Sequence, residues 1–436
     1  MTILSIGIIR SNFRAMAFMV SLAAFLGITP NVAAAALDKL SPRLLLQQVS
    51  AENLELASAY QLSVEASAMA ATQGRLADPR LTIGFAPDTA GTPLGSRENI
   101  KISQVLPWFG KLGASRKRAD SAASATANIV AVLQRSLAIT ASQTWADWWY
   151  VHQALSINQS IVRSFEQLTR SANSRYQNGQ GKQQDALQSE VRLLHAQHER
   201  VILQQQKKRL AIQLNKLRNR PLKNVVLAPS ALPMMPSLNS DKELLKLLEQ
   251  HPSYLASLDA LAGAEARLTL ANRERYPDFV AEVAHVGTLD PEEKRWQASI
   301  GLNIPFDQGK RRHGLAAAAA SKQKLTLDAE ATLLALKEQL GLQLSRYQEH
   351  EHIESLYTQQ LLALAKQSQQ AAQRDYANGI GDFDTVVEAI THYQQAEQQW
   401  RRHQVDRFMI LVEIEQLVGR QLHEPNSLSG RLAAQQ

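Results

Sequence analysis

The chain contains 436 residues, has no cysteine and has a formal net charge of +7, from 47 Lys and Arg against 40 Asp and Glu. The absence of cysteine excludes disulfides, thiolate metal sites, thiol catalysis and a lipidated N-terminal cysteine. The basic excess is mild and scattered, with no basic stripe interleaved with aromatic residues, so we do not expect nucleic acid as a partner.

The first 36 residues are predicted to be a signal peptide for export. Arg10 and Arg14 precede an apolar run from Ala15 to Ile28, and small residues at 32–36 provide a cleavage site. Removal of this segment takes away both arginines and lowers the formal net charge from +7 to +5. The alternative is a retained anchor, but the run is too short to span a bilayer comfortably. We recognise no other long apolar segment, so helices are not expected to cross a membrane.

Two signatures recur at a spacing of about 200 residues, which indicates an internal duplication. Residues 106–111, Leu-Pro-Trp-Phe-Gly-Lys, have their counterpart in residues 304–310, Ile-Pro-Phe-Asp-Gln-Gly-Lys. Residues 175–179, Arg-Tyr-Gln-Asn-Gly, return as residues 375–379, Asp-Tyr-Ala-Asn-Gly. Each copy is predicted to hold two strands and two long helices. The prediction is a single domain over residues 37–436, built from repeats at about 42–222 and 240–422.

Two strand pairs are predicted, at about 79–107 and about 277–305. In residues 296–304 every second residue is apolar and the residues between are polar or small. Strands of about nine residues cross a hydrocarbon core when tilted, but even a packed barrel needs about eight strands. A trimer with a 12-stranded transmembrane barrel is therefore expected, and a soluble hairpin packed on a helix is the alternative. The strand-end turns contain Pro107, Gly110, Pro305 and Gly309.

The rest of the chain is predicted to be helical. A stretch of about 65 residues without proline, at 1.5 Å per residue, forms a rod of roughly 95 Å. Apolar residues recur at mixed spacings of three and four, as on a coiled-coil-like surface. Each rod ends at a Tyr-x-Asn-Gly-x-Gly turn, where glycine permits the reversal into a returning helix. The predicted helices are Pro42–Leu76, Leu112–Tyr176, Asp185–Arg220, Asp241–Arg275, Leu315–Tyr376 (interrupted at Gly341) and Thr385–Arg420, with a strap at Pro221–Asn239.

The paired strands, their terminal prolines, the long hairpins and the two tips resemble the TolC family of trimeric outer-membrane efflux channels over essentially the whole mature chain. Residues 106–112, 179–185 and 379–383 are similar, more narrowly, to the CusC/CzcC-like branch, which serves heavy-metal efflux driven by RND pumps. The tip signatures are Tyr176, Gly179, Asp185 and Leu187 in the first repeat, and Tyr376, Gly379, Val386, Val387 and Ala389 in the second.

The resemblance implies a mainly α protein with a small β part, whose long helical hairpins extend into the periplasm of a Gram-negative bacterium. It implies a passive duct, with no enzyme activity and no cofactor. Its partners would be outer-membrane lipid, a periplasmic adaptor protein and an inner-membrane RND pump, and its cargo heavy-metal cations. The alternatives are a channel for drugs or other small molecules, or a soluble periplasmic coiled-coil adaptor.

The resemblance also implies that the tips close the entrance. In the family a tyrosine, an arginine and aspartates link neighbouring hairpins, and Asp185 and Tyr376 occupy matching positions. At the position of that arginine this chain has Gly381, so the set of residues that closes the entrance in the family is incomplete here. Acidic side chains at 382–388 suit either a charged ring in the lumen or the start of a helix, where the helix dipole favours negative charge. The predicted tip and gate residues are Tyr176, Gly179, Gly181, Asp185, Tyr376, Gly379, Gly381, Asp382, Asp384 and Glu388.

No metal site and no catalytic site is predicted. His350 and His352 are two residues apart on a helix and point away from each other, so they do not chelate one ion together. His195 and His198 are correctly spaced, but two ligands without a third make a weak site. The sequence has no Gly-rich phosphate loop after a strand, no Gly-x-Ser-x-Gly elbow and no His-Glu-x-x-His helix.

Overall fold

The computed structural model describes residues 39–86, 97–238, 241–286 and 296–422. The predicted signal peptide lies outside the described residues. The described residues fall within one unit, Asp38–Gln436.

The two halves of the described chain have the same order of elements: helices, an antiparallel strand pair, a long helix and a returning helix. In the first half these are α1 (Pro42–Glu52), α2 (Leu54–Thr72), β1 (Arg80–Ala86), β2 (Arg97–Leu106), α3 (Lys111–Gln177) and α4 (Gln183–Leu217). In the second half they are α5 (Asp241–Leu247), a 3₁₀ turn (Leu248–Gln250), α6 (Pro252–Arg273), β3 (Asp278–Val286), β4 (Trp296–Asn303), α7 (Gln308–Leu356), a π-helical turn (Tyr357–Leu361), α8 (Leu362–Ala377) and α9 (Phe383–Val418).

The first helix predicted in each repeat is divided in two. Asn53 ends α1 and caps α2, accepting a hydrogen bond from Leu56 N at 3.0 Å. His251, 198 residues later, caps α6 in the same way, with Nδ1 accepting from Ser253 N at 3.1 Å. A cap side chain replaces the missing intrahelical partner of an N–H group, so a new helix starts there. Burial and then Arg135 lower the pKa of His251 to about 4.

The long helix of the second repeat changes its winding near its middle. It passes through Gly341 without interruption, so the predicted break at this glycine is wrong. The irregularity lies further on, at the π-helical turn that separates α7 from α8. Turns of this kind insert one extra residue and are frequent at functional sites.

The four strands form one antiparallel sheet in the order β1-β2-β3-β4. Ile102 on β2 lies opposite Leu81 on one side and Val283 on the other. Val283 in turn lies opposite Ala298 on β4. This register places the predicted apolar positions of all four strands on one face of the sheet.

The strap after α4 is fastened to the core by tryptophans of α3. Trp145 is fully buried, and its indole N–H donates to Leu40 O at 2.7 Å. The indole N–H of Trp148 donates to Leu227 O on the strap at 3.0 Å. Leu40 and Pro229 form a parallel bridge, so the start of the described chain and the strap run side by side.

Helix α9 connects the two repeats. Residues 408–412 of this helix, Phe-Met-Ile-Leu-Val, are all apolar and buried, as expected for a helix surrounded by others. Arg407 directly before this run is also buried and binds Glu351 at 2.9 Å and Glu354 at 2.7 Å on α7. A buried guanidinium with two carboxylate partners holds the register between α7 and α9.

Candidate functional site

One face of the sheet is an exposed apolar surface. Ile300 is 78% exposed and Ile83 is 72% exposed, values that belong to a surface covered by something other than water. Gln104 on β2 and His285 on β3 are polar residues on this face. Its apolar members include Leu81 and Ile83 on β1, Ile100, Ile102 and Leu106 on β2, Phe279, Ala281 and Val283 on β3, and Trp296, Ala298, Ile300 and Leu302 on β4.

The opposite face of the sheet is mostly polar, with apolar exceptions such as Val105 and Val280. Lys101 on β2 forms a salt bridge of 2.6 Å with Glu282 on β3, and Ser299 lies directly opposite Glu282. An apolar face and a polar face that alternate along every strand are the pattern of a barrel wall between lipid and a wet lumen. The strand phase predicted from the sequence, with Ile300 and Ser299 on opposite faces, agrees with this register.

The turn after β2 is bound tightly to the start of β3. The backbone N–H of Trp108 and the ammonium of Lys111 both donate to Asp278 Oδ1 at 2.7 Å. The indole ring of Trp108 stacks on Tyr276 with ring centroids 5.1 Å apart. Aromatic rings therefore lie where the sheet meets the helices, the level at which barrel proteins place their interfacial girdles.

The two strand-end turns differ. Gly110 has φ of +81°, the left-handed conformation that glycine adopts without strain, and the guanidinium of Arg273 lies directly against it. Gly309 instead lies in the first turn of α7, where Asp307 caps the helix by accepting from Lys310 N at 2.8 Å. Pro107 and Pro305 follow β2 and β4 closely, as predicted.

Both helical tips use the same backbone turn. Gly179 and Gly379 have φ of +70° and +82°, the left-handed conformation that glycine adopts without strain. In the first tip Gln180 N donates to Arg175 O at 2.8 Å, and in the second Ile380 N donates to Asp375 O at 2.9 Å. Gly181 and Gly381 allow the chain to pass close to the end of the preceding helix. A Cβ at either position would lie 3.2 Å from the backbone N of Tyr176 or Tyr376, respectively.

Arg175 of the first tip clamps Tyr376 of the second. Its Nη1 donates to Tyr376 O, its Nη2 donates to Gln180 O at 3.2 Å, and the guanidinium carbon lies 4.8 Å from the centre of the Tyr376 ring. This contact combines a hydrogen bond with a cation–π interaction. Sequence analysis missed Arg175, although the basic residue directly before Tyr176 distinguishes the first tip from the second, where Asp375 stands.

Tyr376 is buried at the junction of the tips and is 3% exposed. Its ring packs on Phe383 with centroids 5.9 Å apart. Its hydroxyl has no hydrogen-bond partner among the described residues. Burial raises the pKa of Tyr376, Asp185 raises it further and Arg175 opposes both. Asp185 is thus close enough to influence Tyr376 electrostatically, but it makes no hydrogen bond to the hydroxyl. Tyr176 is 45% exposed.

The acidic residues of the second tip face away from the core. Asp382 occupies the N-cap position of α9 but makes no capping hydrogen bond through its side chain. Asp384 and Glu388 are exposed and lie four residues apart on one side of the helix. Val386 and Val387 between them are buried, which directs the carboxylates away from the helix packing.

Helix α3 contains an 18-residue window with mean hydropathy 1.2, long and apolar enough by composition to cross a membrane. This finding departs from the prediction that no further apolar segment of that length exists. Only 11% of the window is buried within the chain. Such a surface on a helix that also carries polar faces is suited to packing against other helices.

Comparison with known proteins defines the fold. No protein-family model matches the sequence, and no curated protein sequence matches it. Among solved structures, the outer-membrane channel OprN is 18% identical, with 88% of this chain and 91% of that chain covered and a TM-score of 0.76. CusC is 15% identical, with 87% and 92% covered and a TM-score of 0.76. The outer membrane protein VceC from Vibrio cholerae is 15% identical, with 87% and 96% covered and a TM-score of 0.75.

The chain therefore has the TolC-like fold, mainly helical with a small strand part. OprN is described as an outer-membrane channel, CusC by its transmembrane channel formation and VceC as an outer membrane protein. CusC matches no better than the other channels, so the comparison does not single out the heavy-metal branch.

Proposed function

We propose that the chain is one protomer of a homotrimeric outer-membrane channel with a periplasmic extension. The observation that carries the proposal is the four-stranded sheet with one exposed apolar face and one polar face. Its outer strands, β1 and β4, each have one edge without a strand partner in the described part of the chain. Because free edges are normally paired or covered, β4 of one copy joins β1 of the next. Three copies close a barrel of twelve strands.

Cysteine cross-linking tests this assembly, because the chain has no cysteine of its own. One cysteine replaces Ile83 on β1, and a second is scanned along β4. Oxidation of the membrane-extracted protein should give dimers and trimers on a denaturing gel. The control pair, Ile102→Cys with Val283→Cys, lies directly opposed within one chain and should give monomers only. A detergent-free monomer without intermolecular links would contradict the proposal.

The helical part serves as a duct through the periplasm. Helix α3 has 67 residues, which at 1.5 Å each extend about 100 Å from the sheet to the tip. A hairpin of this length connects the membrane to partners on the periplasmic side. The partners we propose are an adaptor protein at the tips and an inner-membrane RND pump, which supplies the energy.

We propose heavy-metal cations as the cargo, because residues 106–112, 179–185 and 379–383 are similar to the CusC/CzcC-like branch. Expression in a strain that lacks its own outer-membrane efflux channels, together with an adaptor and RND pump of a heavy-metal efflux system, tests this. Metal resistance should rise while resistance to dyes and detergents stays unchanged. The reverse result would establish a channel for organic molecules and leave the channel proposal intact.

For the entrance we propose that Arg175 replaces the arginine that the family has at the position of Gly381. Arg175 holds Tyr376 next to Asp185. Replacement of Arg175 with Gln removes the guanidinium charge that lies over the Tyr376 ring, and it removes the hydrogen bond from Arg175 Nη1 to Tyr376 O. Conductance of the trimer in planar bilayers should rise. Lys182→Gln is the matched control, because Lys182 lies on the same tip, is exposed and makes no capping hydrogen bond through its side chain. Equal conductance of both variants would refute the role of Arg175.

A further inference from the structure

Two imidazoles and a carboxylate meet between α7 and α9, away from the tips and the sheet. The ligand atoms of His350, His403 and Asp406 all lie within 4.8 Å of one another. No other group of three His, Asp or Glu side chains is this close within the described ranges. His403 and Asp406 are three residues apart on α9, which places them on one face. The geometry points to a binding site for a divalent transition-metal ion of the zinc type.

The separation of the two rings suits a shared ion. Nδ1 of His350 lies 3.4 Å from Nδ1 of His403. Two nitrogen ligands at 2.0–2.1 Å from a tetrahedral ion are themselves about 3.3–3.4 Å apart. The observed distance therefore matches the spacing of two nitrogen ligands that share one ion.

Asp406 supplies the third ligand by exchanging partners. Its Oδ1 lies 3.1 Å from Nε of Arg402, which also reaches Asp147 at 3.5 Å. When Asp406 turns to an ion, the half-exposed Arg402 keeps Asp147 as its ion-pair partner. The cluster borders an open cavity of about 420 Å³, lined also by Arg346 and Glu349. The cavity has room for a fourth ligand from solvent, as in open zinc sites.

A neighbouring tyrosine packs against one of the rings. Tyr357 begins the π-helical turn and packs beside His403 with ring centroids 5.5 Å apart. Its hydroxyl donates to Gln399 Oε1 at 2.8 Å, which ties the turn to α9. The irregular winding of the helix thus coincides with the cluster, a second observation independent of the ligand distances.

His352 provides a matched control on the same helix. It lies two residues from His350 and points in another direction. Its Nδ1 lies 2.8 Å from Gln348 O, within its own helix. Substitution of His352 therefore removes an imidazole without touching the cluster.

The experiment is a titration of the tag-free, detergent-purified trimer with Co²⁺, followed by its visible absorption bands and by competition with Zn²⁺. One ion per chain is expected. His350→Ala and His403→Ala should each weaken binding by more than about tenfold, and Asp406→Asn by about tenfold. His352→Ala should bind like the original protein. Heat-modified gel migration checks that every variant remains an assembled trimer, and His403→Gln replaces His403→Ala if the latter fails to assemble.

Binding by the original protein no tighter than by the double variant His350→Ala with His403→Ala would overturn the proposal. So would an equal loss of affinity in His352→Ala. The measurement involves no transport and no partner protein. Its outcome is therefore separate from that of the export function proposed above.

Discussion

Replacement of Ile300 with Lys tests which face of the sheet meets lipid. Ile300 lies opposite Ala281 near the middle of β4, on the apolar face, and is 78% exposed in the isolated chain. A lysine on the lipid face of a barrel costs about 2–4 kcal/mol near the bilayer midplane. A trimer contains three copies of the change, so the assembled barrel would lose about 6–12 kcal/mol. That loss is comparable to the whole stability of a typical folded domain.

Ser299→Lys is the control on the neighbouring residue, which faces the other side of the sheet. Ser299 lies opposite Glu282, so a lysine there lies on the mostly polar face beside the Lys101–Glu282 salt bridge. The assay is the amount of heat-modifiable trimer in the outer-membrane fraction. Ile300→Lys should reduce it strongly, whereas Ser299→Lys should leave it unchanged. Equal assembly of both variants, or the opposite order, would refute the assignment of the faces.

Three further predictions concern the tips and the capping histidine. Gly179→Val and Gly379→Val should each strain a turn at positive φ by about 1–2 kcal/mol or more. Each variant should abolish efflux while the cross-linked trimer is still present. Normal efflux would show that the turns tolerate side chains. Asp384→Ala combined with Glu388→Ala should change conductance or cation preference in planar bilayers, because two carboxylates per chain are removed; unchanged values would assign these residues to the helix start alone. Because the pKa of His251 is lowered to about 4, its contribution to stability is complete above about pH 6.5 and is lost as the pH falls towards 4. His251→Asn keeps a capping acceptor and should flatten the dependence of the unfolding temperature on pH in this window; an unchanged slope would contradict the assignment.

Local patterns explain why much of the fold could be predicted. Alternation in residues 296–304 depends only on the period of a strand, and it predicted the faces of β4 correctly. The strand pairs expected at 79–107 and 277–305 contain the observed strands. The turns at Gly179 and Gly379 were predicted because positive φ is a requirement of a single residue, visible in the sequence itself.

The helix breaks at Asn53 and His251 were within reach of sequence analysis but were missed. Asn is a preferred N-cap, and Pro252 occupies the first position of α6, where proline is favoured. Gly341 shows the opposite error, because packing of the long helix overrides the weak helix propensity of one glycine.

By itself, the sequence determined the order of elements, the duplicated tips and the two-faced strands, because each depends on neighbouring residues along the chain. Only the tertiary structure placed Arg175 on Tyr376, which is 201 residues away, and His350 beside His403, which is 53 residues away. These contacts depend on the register between packed helices, and a change of one residue in that register would turn the side chains apart. Residues from distant parts of the chain therefore define the candidate tip clamp and the candidate metal site, and no local pattern in the sequence predicts them.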